Sequence, residues 1–336
     1  MKKHIIITLI AIAPFAGKAQ IDFGSFLEAG TADAEKLMEG YLEPVFLGLG
    51  YGINSGWYNT AKPHKLLGFD ITPTVTFANV PDAGQFFTID NSEYTNLRVV
   101  PTIEGELITQ APTLLGPNLP NERLPFLEYT ADDGTSVRIS APTGLGMDEV
   151  LPFNAMPSAM VQVGVGLVKG TELKLRIVPQ QETDDFAFEM FGIGIMHDLK
   201  QWVPGFKQLP IDVSGFVGWN RMTAQFFLDP DGAPDQIAQF TTGGFTMQGL
   251  ISKKIAFITL FSGIGIANTR TTFDLLGRYD TENAGTFTNP ISFDYASTSP
   301  RINVGFRMKL LILTIHADYA IQKYSTLTTG IGISIR

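Results

Sequence analysis

An alternation of apolar and polar side chains runs through the C-terminal stretch from 300 to 336 and restricts it to β-structure. Its final segment shows this most clearly, with an apolar set of Leu327, Ile331, Ile333 and Ile335. A period of two puts successive side chains on opposite faces of a strand. Successive segments of about ten residues of this kind are typical of a membrane barrel whose outer face contacts lipid. A soluble sheet with one face on a core shows the same alternation. The cellular location of the chain therefore decides between a soluble sheet and a membrane barrel.

The N-terminus has the features of a secretory signal peptide. Lys2 and Lys3 supply a positive start, and residues 5–15 form an apolar run too short to span a membrane. Gly17 and Ala19 are small residues at a cleavage motif, so we predict a signal peptide over 1–19 that is cleaved after Ala19. An uncleaved anchor is the alternative. No later stretch holds 18 continuous apolar residues, which favours a barrel in the outer membrane of a Gram-negative bacterium.

Composition excludes several classes of site. The charged fraction is 17%, against about 25% in soluble domains. The chain of 336 residues has no cysteine, which excludes disulfides, thiolate metal sites and a lipid-modified N-terminal cysteine. A net charge of −9 without a basic patch argues against a nucleic-acid partner. We predict neither a cofactor nor a metal site.

Residues 20–61 differ from the rest of the chain and are predicted to form an N-terminal helix with a plug or entry segment. Thr31 and the acidic residues after it fit a helix start, and Leu37, Met38 and Tyr41 recur at helical spacing. Pro44 is expected to limit this helix. The glycine-rich stretch 46–61 is either an irregular first strand or a segment that follows the inside of the wall.

Residues 62–336 are predicted to form an antiparallel transmembrane barrel of about 12 strands, with 10–14 possible. The predicted strands begin near Leu66, Arg98, Thr135, Ala159, Thr171, Phe186, Ile211, Gln239, Ile255, Pro300, Leu311 and Thr326. Two stretches, 186–196 and 255–272, carry apolar residues on both parities, so their orientation stays open. Residues 126–130 and 136–140 read as a hairpin turning at Asp133 and Gly134, with at least one half in the wall.

An even number of strands leaves both ends of the barrel chain in the periplasm. Strand parity then places the loops at 142–154, 181–184, 222–238, 273–299 and 323–325 outside. The connections at 169–170, 197–208, 253–254 and 309–310 fall on the periplasmic side. The outer loops are the longer set, as in known outer-membrane barrels.

Charged and polar residues on the inward parity are the candidate site, and a polar cluster in the lumen is predicted. Its members are Arg98, Glu104, Glu106, Glu172, Lys174, Arg176, Arg301, Asn303, Arg307, His316 and Asp318. Mixed signs favour salt bridges over a selectivity filter, because an unpaired buried charge is costly. The expected turns would pair Gly164 with Arg176, Gly166 with Lys174, Asn303 with His316, and Arg301 with Asp318.

One hypothesis for the function is an outer-membrane enzyme, because His316 and Asp318 share a face of the sheet. A hydrolase would need a serine in contact with that histidine, and no Gly-x-Ser-x-Gly motif occurs. We therefore predict a non-enzyme without catalytic residues. Hydrolysis that is lost on replacing either residue would reverse this prediction.

Several segments resemble a family of uncharacterised outer-membrane barrel proteins. They are residues 50–64, residues 196–205, the Thr-Ile-His-Ala-Asp-Tyr run at 314–319, and the signal ending Gly-Lys-Ala-Gln. The resemblance spans nearly the whole mature chain and brings no functional residues with it. More distantly, the glycine-rich entry followed by Tyr-Asn-Thr-Ala at 58–61 is similar to the hatch of long-chain fatty-acid transporters, with Thr60 in place of their proline. That similarity implies a plugged barrel that passes hydrophobic compounds.

The function predicted from the sequence is passive passage or uptake of small compounds, hydrophobic ones among them. The alternative is a non-transporting structural or secretion-associated barrel that binds a partner through its long outer loops. The expected partners are outer-membrane lipid, a small hydrophobic ligand and the barrel-assembly machinery.

Overall fold

A computed structural model describes residues 27–335, except 132–133, 148–150, 152, 203, 205–207, 231 and 282–284. The predicted signal peptide and its cleavage site lie outside the described residues, as does Asp133 of the predicted hairpin turn.

Ten antiparallel strands form a closed barrel. They are β1 (Phe69–Asn79), β2 (Ala155–Gly166), β3 (Thr171–Glu182), β4 (Phe186–Asp198), β5 (Asp212–Asp229), β6 (Ala233–Ile255), β7 (Ile258–Leu276), β8 (Ile291–Leu310), β9 (Leu313–Ile321) and β10 (Thr326–Ile335). Neighbours in sequence pair with each other, and β1 closes the ring by pairing with β10, where Phe69 lies opposite Ile335. The predicted antiparallel barrel is confirmed, with ten strands instead of about twelve.

The two missing strands belong to a folded insertion, residues 80–154, which we call the cap. The strand predicted near Arg98 is a short piece, Arg98–Val100, paired with Phe126–Thr130. The latter pairs in turn with Ser136–Ser140, so the predicted hairpin is confirmed, but neither half joins the wall. A second small sheet pairs Phe86–Thr88 with Gln110–Pro112.

The two ends of the barrel differ. One, the turn end, carries connections 167–170, 199–211, 256–257 and 311–312, together with the start of β1 and the end of β10. The other, the loop end, carries the cap and the connections 183–185, 230–232, 277–290 and 322–325. The two predicted sets of connections lie at opposite ends of the barrel, as strand parity requires, and the assignment of the loop end to the cell exterior stays a prediction.

Two predicted turns are displaced along the chain. The turn predicted at 253–254 lies at 256–257, and the one predicted at 309–310 lies at 311–312. Ala256 and Leu311 adopt left-handed backbone with φ of 53° and 56°. Glycine and asparagine normally mark such positions, so an apolar residue there gives no turn signal.

A continuous apolar band surrounds the barrel on its outer face. Along β1, exposed Phe69 and Ile71 alternate with buried Asp70 and Thr72. Outward apolar residues of the other strands include Ile193, Ile195, Val217, Trp219, Met247, Ile264, Ile266, Ile302, Val304, Ile321, Ile331 and Ile333. Apolar outside and polar inside is the reverse of a soluble sheet, so this band faces lipid.

Four strands rise well beyond that band. β5, β6, β7 and β8 have 18, 23, 19 and 20 residues, whereas β9 and β10 have 9 and 10. About ten residues suffice to cross a membrane. In the extension the pattern inverts, because the outward positions become polar (Arg221, Thr241, Arg270, Asp294) and the inward ones apolar (Met222, Phe240, Phe273, Ile291). This inversion explains why no single parity orients the stretch 186–196. In 255–272 the cause lies at the turn end, where Phe257 is in the β6–β7 turn and Phe261 faces inward against Tyr58.

One long helix, α1 (Thr31–Ile53), fills the lumen from the loop end downward. Pro44 does not limit it as predicted, and the glycine-rich stretch up to Ile53 is helical instead of a strand. Four glycines and a proline disfavour a helix in isolation, so contacts with the wall must supply the compensating stability. Among the described residues, no helix is both long and apolar enough to span a membrane.

Candidate functional site in the barrel lumen

The upper lumen is an apolar core built around α1. The Phe46 ring contacts those of Phe240, Phe273 and Phe293, with centroids 5.9, 6.4 and 5.6 Å apart. Leu37, Met38, Leu42 and Leu47 of the helix are all buried in the same cluster. Aromatic rings at such distances add to the stabilisation from burial, so this half of the lumen has the character of a protein interior.

Glycines on two opposite sides of α1 let the helix approach the wall closely, Gly48 towards β2 and Gly50 towards β7. A Cβ at Gly48 would lie 2.5 Å from Met156 Cβ, and one at Gly50 would lie 1.7 Å from Thr269 Oγ1. No real side chain tolerates such contacts, so the seat requires glycine. The glycine-rich segment is therefore a docking surface on the wall.

Polar side chains of the wall fix the C-terminal end of α1. The Arg176 guanidinium donates to the carbonyl oxygens of Ile53 at 2.6 Å and Ser55 at 2.7 Å. Arg301 Nη1 donates to Ser55 Oγ at 2.8 Å, and Asn220 Nδ2 donates to the Ile53 carbonyl at 3.3 Å. The last carbonyls of a helix lack partners within it, so these donors hold the helix end in the middle of the barrel.

The segment after α1 descends along one side of the lower lumen. The Trp57 ring lies under the Arg176 guanidinium, 3.6 Å from its carbon, which is within cation–π range. Tyr58 donates its hydroxyl hydrogen to Asn303 Oδ1 at 2.7 Å, and its ring contacts Phe216. The segment thus occupies the lumen down to the turn end.

A buried charged cluster lies near the turn end. The ring nitrogen Nε2 of His64 lies 3.1 Å from Asp70 Oδ1, and the backbone N–H of His64 donates to Glu172 Oε2 at 2.8 Å. Lys174 forms an ion pair with Glu172. A Cβ at Gly164 would lie 2.2 Å from Asp70 Oδ1, so this glycine makes room for the carboxylate.

Three of these groups could in principle hold a metal ion, because ligand atoms of His64, Asp70 and Glu172 lie within 4.8 Å of one another. The Lys174 ammonium pairs with Glu172 and also acts on Asp70. It therefore already supplies positive charge to the two carboxylates. The donor set fits a salt-bridge cluster better than a cation site.

His316 and Asp318 are buried side by side on the inner face of β9. Among the described residues, neither ring nitrogen of His316 takes part in a hydrogen bond. Arg307 interacts electrostatically with His316, and Arg301 with Asp318. A buried polar group without a partner costs ~1–3 kcal/mol, so this side of the lumen favours bound water.

The structure brings eight of the eleven predicted cluster residues together in the lumen and leaves three outside. The eight buried members are Glu172, Lys174, Arg176, Arg301, Asn303, Arg307, His316 and Asp318. Arg98, Glu104 and Glu106 are exposed in the cap, so their predicted place in the lumen is wrong. Arg98 lies in a small sheet outside the wall, and Glu104 and Glu106 lie in the connection that follows this strand.

The registers within the cluster also differ from the predicted ones. Gly164 lies opposite Lys174, and Gly166 lies opposite Glu172, because the turn is centred on Lys169. The β8–β9 pairs are Arg307 with His316 and Gly305 with Asp318. In the β2–β3 pair each glycine still faces a large charged residue, although the partners differ from those predicted.

Several residues of the site are absent from the predicted cluster. They are Tyr58, His64, Asp70, Gln162 and Asn220, all buried in the lumen. Asp70 shares the inward parity of β1 and could have been included on that ground. Tyr58 and His64 lie in a segment without periodicity, so nothing in the sequence marks them.

Over residues 1–335 the sequence matches a family of unknown function, DUF6588. The chain belongs to this family. For this DUF6588 protein, a comparison with curated proteins finds no significant match. The predicted membership of an uncharacterised family is thereby confirmed, and the more distant similarity to long-chain fatty-acid transporters stays a prediction.

Solved structures similar to the DUF6588 protein include Ail, the attachment invasion locus protein of Yersinia pestis, with 8% identity and a TM-score of 0.28. They also include the translocator domain of autotransporter NalP from Neisseria meningitidis (9%, 0.30) and the transport unit of autotransporter AIDA-I from Escherichia coli (9%, 0.27). The matches cover 80, 91 and 86% of this chain and 98% of each of those chains. These neighbours are outer-membrane β-barrels, and the likeness concerns the class of fold alone.

Proposed function

We propose that this protein is a closed outer-membrane barrel that displays a folded, acidic cap at the cell surface and acts by binding through that cap. The observation that carries the proposal is the filled lumen: α1 and the segment after it occupy the barrel from the cap to the turn end. A barrel plugged in this way holds the cap rigidly at its loop end without providing a path through the membrane.

The closed state is supported by the number of independent contacts that hold α1. The aromatic core, the close-packed glycines and the Arg176 hydrogen bonds would all have to break before the helix could leave. A hydrogen bond to a charged group alone is worth ~1.5–3 kcal/mol. Passive diffusion past this plug is therefore disfavoured.

The cap supports a binding role because it is an ordered surface tied to the plug. The Asp33 carboxylate accepts the N–H groups of Thr95, Asn96 and Leu97 at 2.7–2.9 Å, and the Tyr41 hydroxyl donates to the Thr143 carbonyl. In the described part of the cap, the exposed carboxylates are Asp82, Asp90, Glu93, Glu104, Glu106 and Glu122. The exposed basic residues there are Arg98, Arg123 and Arg138.

An apolar tip stands among these acidic groups. Ile103 is 94% exposed and Leu107 is 55% exposed, and Glu104 and Glu106 lie between them in the sequence. An exposed apolar tip with an acidic rim suits a partner whose basic surface surrounds an apolar pocket. The proposed partner surface is therefore cationic around an apolar centre.

Conductance in planar bilayers tests the closed state. We expect the wild type to be silent and Arg176→Met to show openings, because the helix end loses two donors to carbonyl groups that remain buried. Arg221→Met, an exposed arginine on the outer face of the wall, is the matched control and should stay silent. Steady conductance by the wild type would refute the proposal.

Immobilised peptides test the binding role. Peptides with lysines around a leucine or phenylalanine should retain the purified protein at low salt, and Glu104→Gln with Glu106→Gln should weaken retention severalfold. Glu182→Gln, an exposed carboxylate at the loop end outside the cap, is the control. An equal loss of retention in the cap variant and in the Glu182→Gln control would mean that the peptides respond only to the net charge of the protein.

Passage of small compounds is a second candidate, favoured by the polar side of the lower lumen around His316. The similarity to long-chain fatty-acid transporters supports it as well, since those barrels carry a plug. It requires α1 to move. Solute uptake into liposomes through the wild type, with no change when the cap carboxylates are replaced, would favour this candidate over the cap.

A further inference from the structure

A cavity of about 460 Å³ opens at the turn end, beside the segment that leaves the lumen. Its walls are residues 61–66, the β2–β3 turn, and the ends of β4 and β5. Pockets of roughly 300–1,000 Å³ are typical of sites for small molecules. Ala61 and His64 border the cavity, but neither α1 nor the cap lines it, so it can be tested separately from the closed lumen and from binding by the cap.

Charges of both signs line this cavity. Lys62, Lys65 and Lys169 supply ammonium groups, and Asp198 and Asp212 supply carboxylates. Asp198 is oriented by the Lys200 N–H, which donates to its Oδ1 at 2.8 Å. Lining groups of both signs fit a ligand that itself carries an anionic and a cationic group better than a simple anion.

The rim of the cavity is apolar and continuous with the face that contacts lipid. Leu66, Leu167 and Val168 line it and are 61%, 41% and 63% exposed. Leu167 follows the outward row of β2, and Leu66 precedes outward-facing Phe69 of β1. A ligand seated here can therefore place an apolar chain along the membrane face while its polar end occupies the cavity.

We propose that this cavity binds the headgroup of a zwitterionic phospholipid of the phosphatidylethanolamine type from the leaflet at the turn end. The lysines contact the phosphate, the aspartates contact the ammonium group, and the acyl chains lie over the leucine rim. This inference rests on the membrane position of the barrel but not on the closed lumen or on binding by the cap.

Native mass spectrometry of the full chain in detergent tests the site. We expect bound phosphatidylethanolamine in the wild type, and about tenfold weaker binding when Lys62, Lys65 and Lys169 are all changed to glutamine. Lys253→Gln with Lys254→Gln is the matched control, because those exposed lysines also lie at the turn end but do not line the cavity. The control variant should bind as the wild type does.

Two further arms identify the ligand class. Changing Asp198 and Asp212 to asparagine should weaken phosphatidylethanolamine more than phosphatidylglycerol, which lacks the ammonium group. Water-soluble glycerophosphoethanolamine should bind far more weakly than the lipid, because it lacks acyl chains. Equal loss in the control variant, equal binding of both lipids, or tight binding of the soluble headgroup would each overturn the proposal. Heat-modifiable migration on gels measures folding of the barrel, and the absence of conductance in bilayers measures closure of the lumen. Loss of lipid binding can therefore be distinguished from unfolding and from an open lumen.

Discussion

At the scale of single residues, Asp33 shows how one carboxylate joins two parts of the molecule. Its position in the first turn of α1 suggests a role within the helix, where acidic residues favour the N-terminus. In the structure its carboxylate instead accepts hydrogen bonds from three backbone N–H groups of the cap, which are distant in sequence. It is 4% exposed, so water cannot replace it.

Replacing Asp33 with alanine should loosen the cap without opening the barrel. Three N–H groups would lose their acceptor, at a cost of ~1–3 kcal/mol for each one that stays buried. Hydrogen exchange in residues 91–100 should rise strongly while the strands remain protected. Glu35→Ala, two residues along the same helix, is the control, and a similar rise in that variant would contradict the role given to Asp33.

Sequence patterns identify Asp33 as part of a helix start but not its partners. Hydrogen bonds between segments more than 60 residues apart leave no local periodicity. The same holds for the contacts of Tyr58 with Asn303 and of His64 with Glu172, which join segments more than 100 residues apart. In contrast, Glu172, Lys174 and Arg176 are predicted correctly to face the lumen, because a strand's alternation fixes the face of every residue on it.

At the scale of elements, α1 depends on the wall for its shape. Pro44 and the glycines at 48, 50 and 52 would weaken an isolated helix by about 1 kcal/mol per glycine and about 3 for the proline. Local propensity therefore ends the predicted helix too early. Tertiary contacts decide the outcome, and they act only once the barrel surrounds the helix.

Gly50→Ala should destabilise the seat of α1 although alanine favours helices. The new Cβ would lie 1.7 Å from Thr269 Oγ1 and 2.6 Å from Thr269 Cβ, so rotation of the threonine side chain cannot relieve the contact. We expect a loss of ~1–3 kcal/mol, measured by hydrogen exchange of residues 40–53. Adding Thr269→Gly should restore protection.

Gly215→Ala provides the comparison for that double variant. Its Cβ would meet only ordinary contacts of 3.8 Å or more, so exchange in α1 should not change. Failure of Thr269→Gly to restore the Gly50→Ala variant would show that the close contact is not the cause.

The strands divide into those that alternation reveals and those that it hides. β9 and β10 keep one parity from end to end, because they lie wholly within the lipid-facing band. β8 begins at Ile291, nine residues before its predicted start at Pro300, because outward positions above the band are polar. A search for apolar residues at one parity detects the segments that cross the membrane. It misses the parts of the strands beyond the apolar band, where the outward side chains are polar and the inward ones apolar.

At the scale of the whole molecule, charge is divided between the two ends. Exposed lysines gather at the turn end (Lys62, Lys65, Lys169, Lys253, Lys254), whereas the described cap is rich in carboxylates. Sequence alone establishes the overall charge of −9 but not this separation, because it depends on which connection lies at which end.

Labelling of single cysteines tests the orientation. The native chain has none, so each introduced cysteine gives a unique signal. Ala32→Cys and Glu104→Cys should react with a membrane-impermeant maleimide on intact cells. Lys169→Cys and Leu311→Cys should react only after the outer membrane is permeabilised, because short turns face the periplasm. The reverse pattern would invert the molecule and remove the cap from the cell surface.

The direction of α1 limits the order in which the molecule can be assembled. The helix starts beside the cap, and the chain after it leaves the lumen at the opposite end to enter β1. A finished ring with a filled interior offers no route by which this segment could be threaded afterwards. We therefore expect the seam between β1 and β10 to close last, around a helix that is already in place, with the N-terminal segment as an internal template for the wall.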